Sequence, residues 1–395
     1  SDGDIANLTD SLRHLTNKII RKDTGLWRID RDKTNLLQER HARIMQSGLD
    51  DVGRIYWLLE DCKRYGTLPF AGLARAAFIA VQMMQSLVAE GIFTQAERDT
   101  FMNGLNTISS QMVRDFAQAE REVFLAKYGH LRPGTYDILS PRYDEAPDLY
   151  FDWTNRPACP PRPDAFALSV AQLKEISQLL THHGLDYDVV GLLEFIGTAI
   201  EWREQSKFLF TRNLSDAMAL FKQLGAKNGF SPEDLSFASI HVIHELNAAS
   251  LDVRDVLARS IEQGRTLYEK TLQLRLPPLI TSPKDAWSFF APPSEPNFIT
   301  QKHVSASVTH HSDKERLTGS IAVIESADPG FDWLFSHSIA GLITAYGGAN
   351  SHMAIRAGEL GLPAVIGAGE NLFKQWSSAK MLKIDCAKRR VEVLQ

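Results

Sequence analysis

The sequence predicts an α plus α/β protein, in which a large, mostly helical domain is followed by a small α/β domain. Apolar residues recur at helical spacing, among many charges, through most of residues 1–276. Six prolines then lie between Leu274 and Phe298, which predicts a stiff hinge at residues 277–298. Beyond them, short apolar stretches alternate with helical ones, so residues 299–395 are predicted to form the α/β domain.

The helical domain is predicted to begin with amphipathic helices over residues 8–44, and the next helix is expected to stop at residues 65–69. The helix Phe70–Leu87 is almost wholly apolar, which predicts burial in a bundle, and it is too short and interrupted to span a bilayer. Its one charge is Arg75. A cation on a buried helix needs a partner, so Arg75 is predicted to form a structural ion pair or to contact a ligand anion.

The amino-acid composition argues against several kinds of binding partner and site. The chain carries 43 basic and 48 acidic side chains, a formal net charge of −5, without a basic block. Binding to nucleic acid or to a membrane surface therefore has no electrostatic support. The three cysteines are far apart, so we expect neither a disulfide framework nor a metal site, and we expect a cytoplasmic location. An acidic start without Met, and the absence of a P-loop, suggest a fragment of a longer protein.

The elements of the α/β domain follow from its pattern of apolar and turn residues. Strands are expected at residues 304–309, 320–325, 341–345, 364–366, 381–385 and 391–394, and helices at 332–338, 351–360 and 371–377.

One turn in this domain carries the chemistry. An apolar strand runs into Gly347 and Gly348, and the chain then enters a helix that starts with Ser351 and His352. Free N–H groups at a helix start favour an anion, and glycines leave room for it. Imidazole is a nucleophile near neutral pH. The turn therefore indicates a covalent phosphohistidine at His352, although a histidine that merely caps a helix is the simpler alternative.

The extended pattern G-G-x-x-S-H-x-A-I-x-A-x-E-x-G-x-P-A-V-x-G, over residues 347–367, resembles the swivelling phosphohistidine domain of the phosphoenolpyruvate-utilising and dikinase family. The upstream stretch 327–333 resembles it as well. The resemblance implies that His352 is the catalytic phosphoryl carrier. Gly358 stands where the family often has Arg, which alters one possible phosphate contact. The implied phosphate-binding residues are Gly347, Gly348, Ser351 and Arg356.

The resemblance also implies an activity. The domain order is similar to that of the rifampin phosphotransferase-like kinases, whose ATP-grasp domain is absent from this sequence. That domain would bind ATP and Mg²⁺ and donate a pyrophosphoryl group to His352. After loss of one phosphate to water, the α/β domain would swing and pass the phosphoryl group to a small-molecule acceptor. The alternatives are a fragment of a phosphoenolpyruvate synthase or pyruvate phosphate dikinase, and a regulatory protein with a relic histidine domain.

The acceptor is expected to bind to the helical domain. Residues 127–145, dense in Gly, Pro and Asp, are predicted to form a loop, and they resemble a Gly-His-Arg-Pro-Gly type loop of these kinases. A surface loop whose charges pair with one another is the alternative. The Arg-Glu-x-x-Lys stretch at 203–207 also resembles the family, although ion pairing along one helix explains it equally. The acceptor-binding candidates are His130, Arg132, Arg75, Asp137, Arg142, Arg203 and Glu204.

Overall fold

The structure is a computed structural model that describes residues 2–156, 158–159, 164–274, 280–287, 295–327, 329–349 and 351–395. These residues form a mostly helical region followed by α/β structure around a seven-stranded sheet, which confirms the predicted fold class. The chain divides into two compact units. The first consists of Ser1–His130, Ala158–Leu235 and Ile240–Leu257, and the second of Leu131–Pro157, Ser236–Ser239 and Ala258–Gln395.

The predicted domain limits at 276/277 and 298/299 stay predictions. Part of the proposed hinge, residues 277–279 and 288–294, lies outside the described residues. A short strand not predicted from the sequence, Asn297–Ile299, follows that stretch.

The helices, in chain order, are α1 (Asp2–Ile20), α2 (Leu26–Met45), α3 (Asp51–Asp61), α4 (Leu68–Ala89), α5 (Gln95–Asn103), α6 (Ile108–Gln118), α7 (Arg121–Tyr128), α8 (Pro147–Tyr150), α9 (Val170–His182), α10 (Val189–Lys227), α11 (Pro232–Leu235), α12 (Val242–Ala248) and α13 (Val253–Leu272). Side-chain oxygens of Asp50, Thr94, Thr107, Ser169 and Asp188 each accept a hydrogen bond from the backbone N–H three residues later, which fixes the starts of α3, α5, α6, α9 and α10.

The helix α10, 39 residues long, is the centre of the first unit. Helices α2, α3 and α4 pack against it. The main core of this unit is apolar and includes Trp27, whose ring meets the edge of Phe195 at a centroid distance of 5.8 Å. Burial of such large side chains accounts for most of the stability of a helical unit.

The predicted helix end at residues 65–69 is wrong. Helix α3 continues into α4 through a π-helical turn, Cys62–Thr67. Pro69 lies in the first turn of α4, where its missing N–H costs least, and the wider π-helical turn lies directly before it.

The joined helical stretch Asp51–Ala89 is long and apolar enough, by length and composition, to cross a membrane, and 33% of its most apolar window is buried in the structure. The prediction that Phe70–Leu87 is too short to span a bilayer therefore does not extend to the joined stretch. Core helices of water-soluble proteins meet the same criterion, so length and composition alone do not indicate a membrane protein.

Helix α4 is buried in the bundle, as predicted, but only on one side. Leu73 and Ala76 are fully buried, but Phe78 is 68% exposed and Arg75 is exposed as well. Because its head is in solvent, Arg75 has no need of a buried anion. It acts on Asp30, whose pKa is raised by burial and held down in part by the charges of Lys33 and Arg75.

The α/β part of the second unit contains β1 (Asn297–Ile299), β2 (His303–His310), β3 (Ile321–Ser326), β4 (Gly341–Tyr346), α14 (His352–Glu359), β5 (Ala364–Ile366), α15 (Gly369–Ser377), β6 (Met381–Asp385) and β7 (Arg390–Val393). A 3₁₀ segment, Pro329–His337, stands where a helix was predicted at 332–338.

The sheet order is β1-β5-β4-β3-β2-β6-β7. Strands β2 to β5 pair in parallel, while β1, β6 and β7 pair antiparallel at the two edges. Ile321–Ile324, Gly341–Ala345 and Ala364–Ile366 are buried without interruption, as expected for central parallel strands covered on both faces. The carboxyl ends of β3, β4 and β5 consequently open toward one edge of the sheet, where ligands bind in such folds.

Candidate functional site

Asp332 and His352 meet at the carboxyl edge of the sheet. Strands β3 and β4 are parallel neighbours, with Ser326 opposite Tyr346 at their ends. The segment after β3 leads into the 3₁₀ segment that carries Asp332, and the segment after β4 leads through the glycine turn to His352. Parallel pairing therefore brings together two side chains that are twenty positions apart in the sequence.

The contact between these residues is short and shielded. The Nε2 atom of His352 lies 2.7 Å from Oδ2 of Asp332, and the side chains are 28% and 10% exposed, respectively. When Nε2 carries the proton and donates it to the carboxylate, the lone pair resides on Nδ1. Asp332 thus selects the ring tautomer and can stabilise positive charge on the ring. The 327–333 stretch that resembles the family contains Asp332, but no role was predicted for this residue. It follows β3, the strand predicted immediately before β4 in the sequence, and that position is the signal that could have identified it.

The two predicted phosphate-binding glycines, Gly347 and Gly348, have different structural roles. Gly347 has φ +132°, and a Cβ atom there would lie 2.6 Å from Cβ of Ala327, so this position excludes every side chain. No heavy atom lies within 4 Å of the corresponding position at Gly348, which leaves open space in front of the helix start. Gly367, after β5, also has positive φ, and a Cβ there would lie 2.3 Å from the carbonyl oxygen of Gly347. The turn can exist only with a glycine at 347 and at 367.

Ser351 is the N-cap of α14, and its Oγ accepts a hydrogen bond from the backbone N–H of Ala354 at 3.4 Å. The hydroxyl hydrogen can then point away from the helix, toward a bound anion. His352 is the first residue of α14, next to the free N–H groups of the first turn. Arg356 follows one turn later on the same side of the helix and is half-buried. Gly347, Gly348, Ser351, His352 and Arg356 thus lie on one turn and helix, where a phosphate would be favoured.

The 3₁₀ segment that carries Asp332 packs against Tyr150, which follows the predicted acceptor loop in the sequence. Trp333 packs against Tyr150 at a centroid distance of 5.9 Å. The Lys314 Nζ atom lies 5.6 Å from the Tyr150 ring centre and 5.4 Å from that of Trp333. This Nζ is buried without a hydrogen-bond partner among the described residues, and burial lowers the pKa of Lys314 to about 8. We call Tyr150, Lys314 and Trp333 the aromatic clamp.

Several of the predicted acceptor-loop residues 131–145, which belong to the second unit, contact one another. Arg132 is 4% exposed, and its Nη1 donates to the carbonyl oxygens of Asp137 and Ser140, both at 3.3 Å. Burial lowers the pKa of Arg132, and the charge of Glu145 opposes this shift. Arg142 forms a bidentate pair with Asp144 at 2.9 and 2.7 Å. The pair of Arg142 with Asp144 fits the alternative in which loop charges pair with one another, and the acceptor roles of Arg132, Asp137 and Arg142 stay predictions.

His130 belongs to the first unit and is also 4% exposed. Its Nε2 lies 3.2 Å from the carbonyl oxygen of Phe208, and Nε of Arg212 lies 3.5 Å from its Nδ1. The Ser215 hydroxyl donates to the His130 carbonyl oxygen at 2.6 Å. Both ring nitrogens therefore have neighbours within the packed interior. An acceptor role for His130 would require a rearrangement of the helices around it.

The remaining acceptor candidates do not gather at one place in the first unit. Arg203 and Glu204 are half-buried neighbours on α10, 3.9 Å apart, and Glu204 accepts a hydrogen bond from the Ser109 backbone N–H at 3.5 Å. Arg75 lies on the exposed side of α4. Arg203 and Glu204 thus retain the geometry of a helical ion pair, and their predicted acceptor role stays a prediction.

Comparison with known proteins shows what the sequence around this site is similar to. Residues 317–389 match the family of the PEP-utilising enzyme mobile domain. The chain is 27% identical over 337 residues to the rifampicin phosphotransferase of Bacillus cereus, which covers 75% of the chain and 36% of that protein. It is 25% identical to the rifampicin phosphotransferase of Bacillus subtilis and 23% to that of Streptomyces sviceus, over 68% and 69% of the chain and 34% of each relative.

The chain therefore spans about a third of the length of the curated relatives it matches. The match to the mobile domain contains β4, the glycine turn and His352, and the similarity to the relatives extends into the helical region. Residues 317–389 thus match a PEP-utilising enzyme mobile domain, and about 70% of the chain is similar to part of the rifampicin phosphotransferases.

Proposed function

We propose that this chain is the carrier and acceptor-binding part of an ATP-dependent phosphotransferase, with His352 as the phosphoryl carrier. The observation that supports this most is the 2.7 Å contact between His352 and Asp332 beside a glycine turn and a helix start. A carboxylate that orients an imidazole is suited to nucleophilic catalysis, and the helix start is suited to the phosphate that results.

The chemistry takes two transfers. In the first, a ring nitrogen of His352 attacks the β-phosphorus of ATP, a P–N bond forms, and AMP leaves. Water then attacks the outer phosphorus of the pyrophosphohistidine, the P–O–P bond breaks, and inorganic phosphate leaves. In the second, an acceptor hydroxyl attacks the remaining phosphorus, the P–N bond breaks, and the imidazole is restored. Asp332 stabilises the positive charge that the ring carries in between, and Gly348 leaves an open approach for both in-line attacks.

ATP binding is assigned to a region outside this chain. Among the residues that the structure describes, no group of three or more His, Cys, Asp or Glu side chains could hold a metal ion. We expect Mg²⁺ to bind together with ATP, outside this sequence, and no step above depends on its position.

The test uses the full-length protein that contains this chain and ATP labelled at the β-phosphate. Acid-labile label on His352 is the expected result, with no label in His352→Ala and normal label in His303→Ala, an exposed histidine of the same domain that serves as control. Label that persists unchanged in His352→Ala would refute the carrier role. Absence of label from the wild-type protein would favour the regulatory alternative.

A further inference from the structure

A cavity of about 420 Å³ opens in the first unit, where α2, α6, α7 and α10 come together. Its volume falls in the range of pockets that bind small molecules. Polar and apolar side chains line it together. The lining residues important here are Gln38, Ile108, Lys127, Gln205, Phe208 and Arg212.

The cavity lies on the side of α10 that faces away from Arg203 and Lys207. Gln205, Phe208 and Arg212 recur at i, i+3 and i+7, so they lie along one side of α10. At about 100° per residue, Arg203 and Lys207 point to the opposite side, roughly 160–200° away from Gln205. A ligand in the cavity would therefore be distant from Arg203 and Lys207, but not from Glu204, which precedes Phe208 by one turn.

The cavity carries one uncompensated positive charge. Lys127 is neutralised by Asp115, with Nζ 2.8 Å from Oδ2. Arg212 donates from Nη2 to the Lys127 carbonyl oxygen at 2.8 Å and points Nε at His130, but it has no carboxylate partner among the described residues. A guanidinium cannot lose its proton in a protein, so this charge persists at every physiological pH. A ligand with one negative charge would balance it.

The other lining groups indicate what else the ligand contains. The side-chain amides of Gln38 and Gln205 have no hydrogen-bond partner in the part of the chain that the structure describes. Each amide offers two donors and an acceptor, which suits hydroxyl or carbonyl groups. Phe208 and Ile108 supply an apolar wall, which suits a ring or a branched hydrocarbon body.

We propose that this cavity binds a small amphiphilic monocarboxylate: one carboxylate on Arg212, an apolar body against Phe208, and a polar substituent between Gln38 and Gln205. The proposal concerns binding alone and does not require that phosphate reach His352. It can therefore fail or succeed independently of the proposed phosphotransfer.

The test is calorimetric titration of the full 395-residue chain with 4-hydroxyphenylacetate and with its neutral counterpart 4-hydroxyphenylacetamide. We expect saturable binding of the acid and at least a tenfold weaker affinity for the amide, because the amide cannot neutralise Arg212. Arg212→Gln should abolish this difference, while Arg212→Lys should retain part of it. Gln205→Leu should weaken the binding of both compounds equally.

Arg203→Gln is the matched control, since it removes the same charge from the opposite side of the same helix. It should leave the titration unchanged, and circular dichroism should show that both Gln variants remain folded. Binding that is lost in Arg203→Gln but kept in Arg212→Gln would place the anion on the other side of α10 and overturn the proposal. Equal affinity for acid and amide, or no saturation by either at about 10 mM, would overturn it as well.

Discussion

Replacing Asp332 by Asn tests the role of its charge on His352. The amide can still accept the Nε2 proton, so the variant keeps a neutral hydrogen bond and loses only the charge-assisted part. A buried hydrogen bond to a charged group contributes about 1.5–3 kcal/mol, and a neutral one about 0.5–1.5 kcal/mol. The difference of about 1–1.5 kcal/mol corresponds to a rate about 5–13 times slower for any step that puts positive charge on the ring. The low exposure of Asp332 supports the full difference, since water cannot replace the carboxylate.

The assay is phosphorylation of the full chain by phosphoramidate, a small phosphoryl donor that makes ATP unnecessary. The rate and the labelled nitrogen can be followed by ³¹P NMR. We expect label on Nδ1 of His352, a slower rate in Asp332→Asn, and a further decrease in Asp332→Ala. Asp313→Asn, on an exposed aspartate of the same domain, is the control and should behave as wild type. An unchanged rate, or a faster one with label on Nε2, would refute the reasoning, because the carboxylate would then be idle or would block the attacking atom.

Three further changes test the fold around the site. Gly347→Ala should destabilise the protein by about 2–4 kcal/mol in urea unfolding, because its φ is +132° and the added Cβ would meet Ala327 at 2.6 Å; an unchanged midpoint would contradict this. Gly358→Arg should stabilise the protein by about 0.5–1 kcal/mol, because a helix favours Arg over Gly. The position is exposed, and the atom nearest to an added Cβ is Cγ2 of Ile299 at 3.7 Å. A loss of stability would contradict this prediction. Lys314 has a folded-state pKa of about 8, below the ordinary 10.5, so the unfolded chain binds more protons between these values and stability should rise with pH across that window. Lys314→Met should remove about 1 kcal/mol of this rise, after discount for the exposed part of the side chain, and an identical pH profile for variant and wild type would contradict the assignment.

The α/β elements could be predicted well because their signals are local. Strands at 341–345, 364–366 and 381–385 were expected almost where they occur, since each is a short apolar run bounded by Gly, Pro or charged residues. The strand Asn297–Ile299 escaped prediction because it has three residues and joins the sheet only by antiparallel pairing with β5. Short edge strands are determined by the partner that they meet, and the sequence pattern does not contain that partner.

Errors in the helical region have a different origin. Gly66 and Pro69 together are an ordinary helix stop, yet the chain continues there because a π-helical turn lies before Pro69. Arg75 was interpreted from the apolar composition of α4 alone, and composition does not say which side of a helix other helices cover.

The candidate site also contains residues that could be predicted from the sequence and residues that could not. His352 and its glycines form one continuous motif, so they could be found from the sequence. Asp332 joins them only through the parallel pairing of β3 with β4, a tertiary fact. His130 and Arg132 have residue types that are common in active sites, and only the structure shows that both are buried and bonded to backbone carbonyls.

The aromatic clamp sets an energetic condition on any travel by His352. Tyr150 belongs to the segment Leu131–Pro157, whereas Lys314 and Trp333 belong to the segment Ala258–Gln395, which also contains Asp332 and His352. If the α/β domain that carries His352 swings without the segment that contains Tyr150, the contacts of Lys314 and Trp333 with Tyr150 must first break. One ring pair and one shared cation contribute on the order of 2 kcal/mol, so attached molecules would outnumber detached ones by about thirty to one. The binding of a single molecule that prefers the detached form is enough to reverse such a ratio. The aromatic clamp would then fix the order of events, because the α/β domain would move only after that molecule has bound.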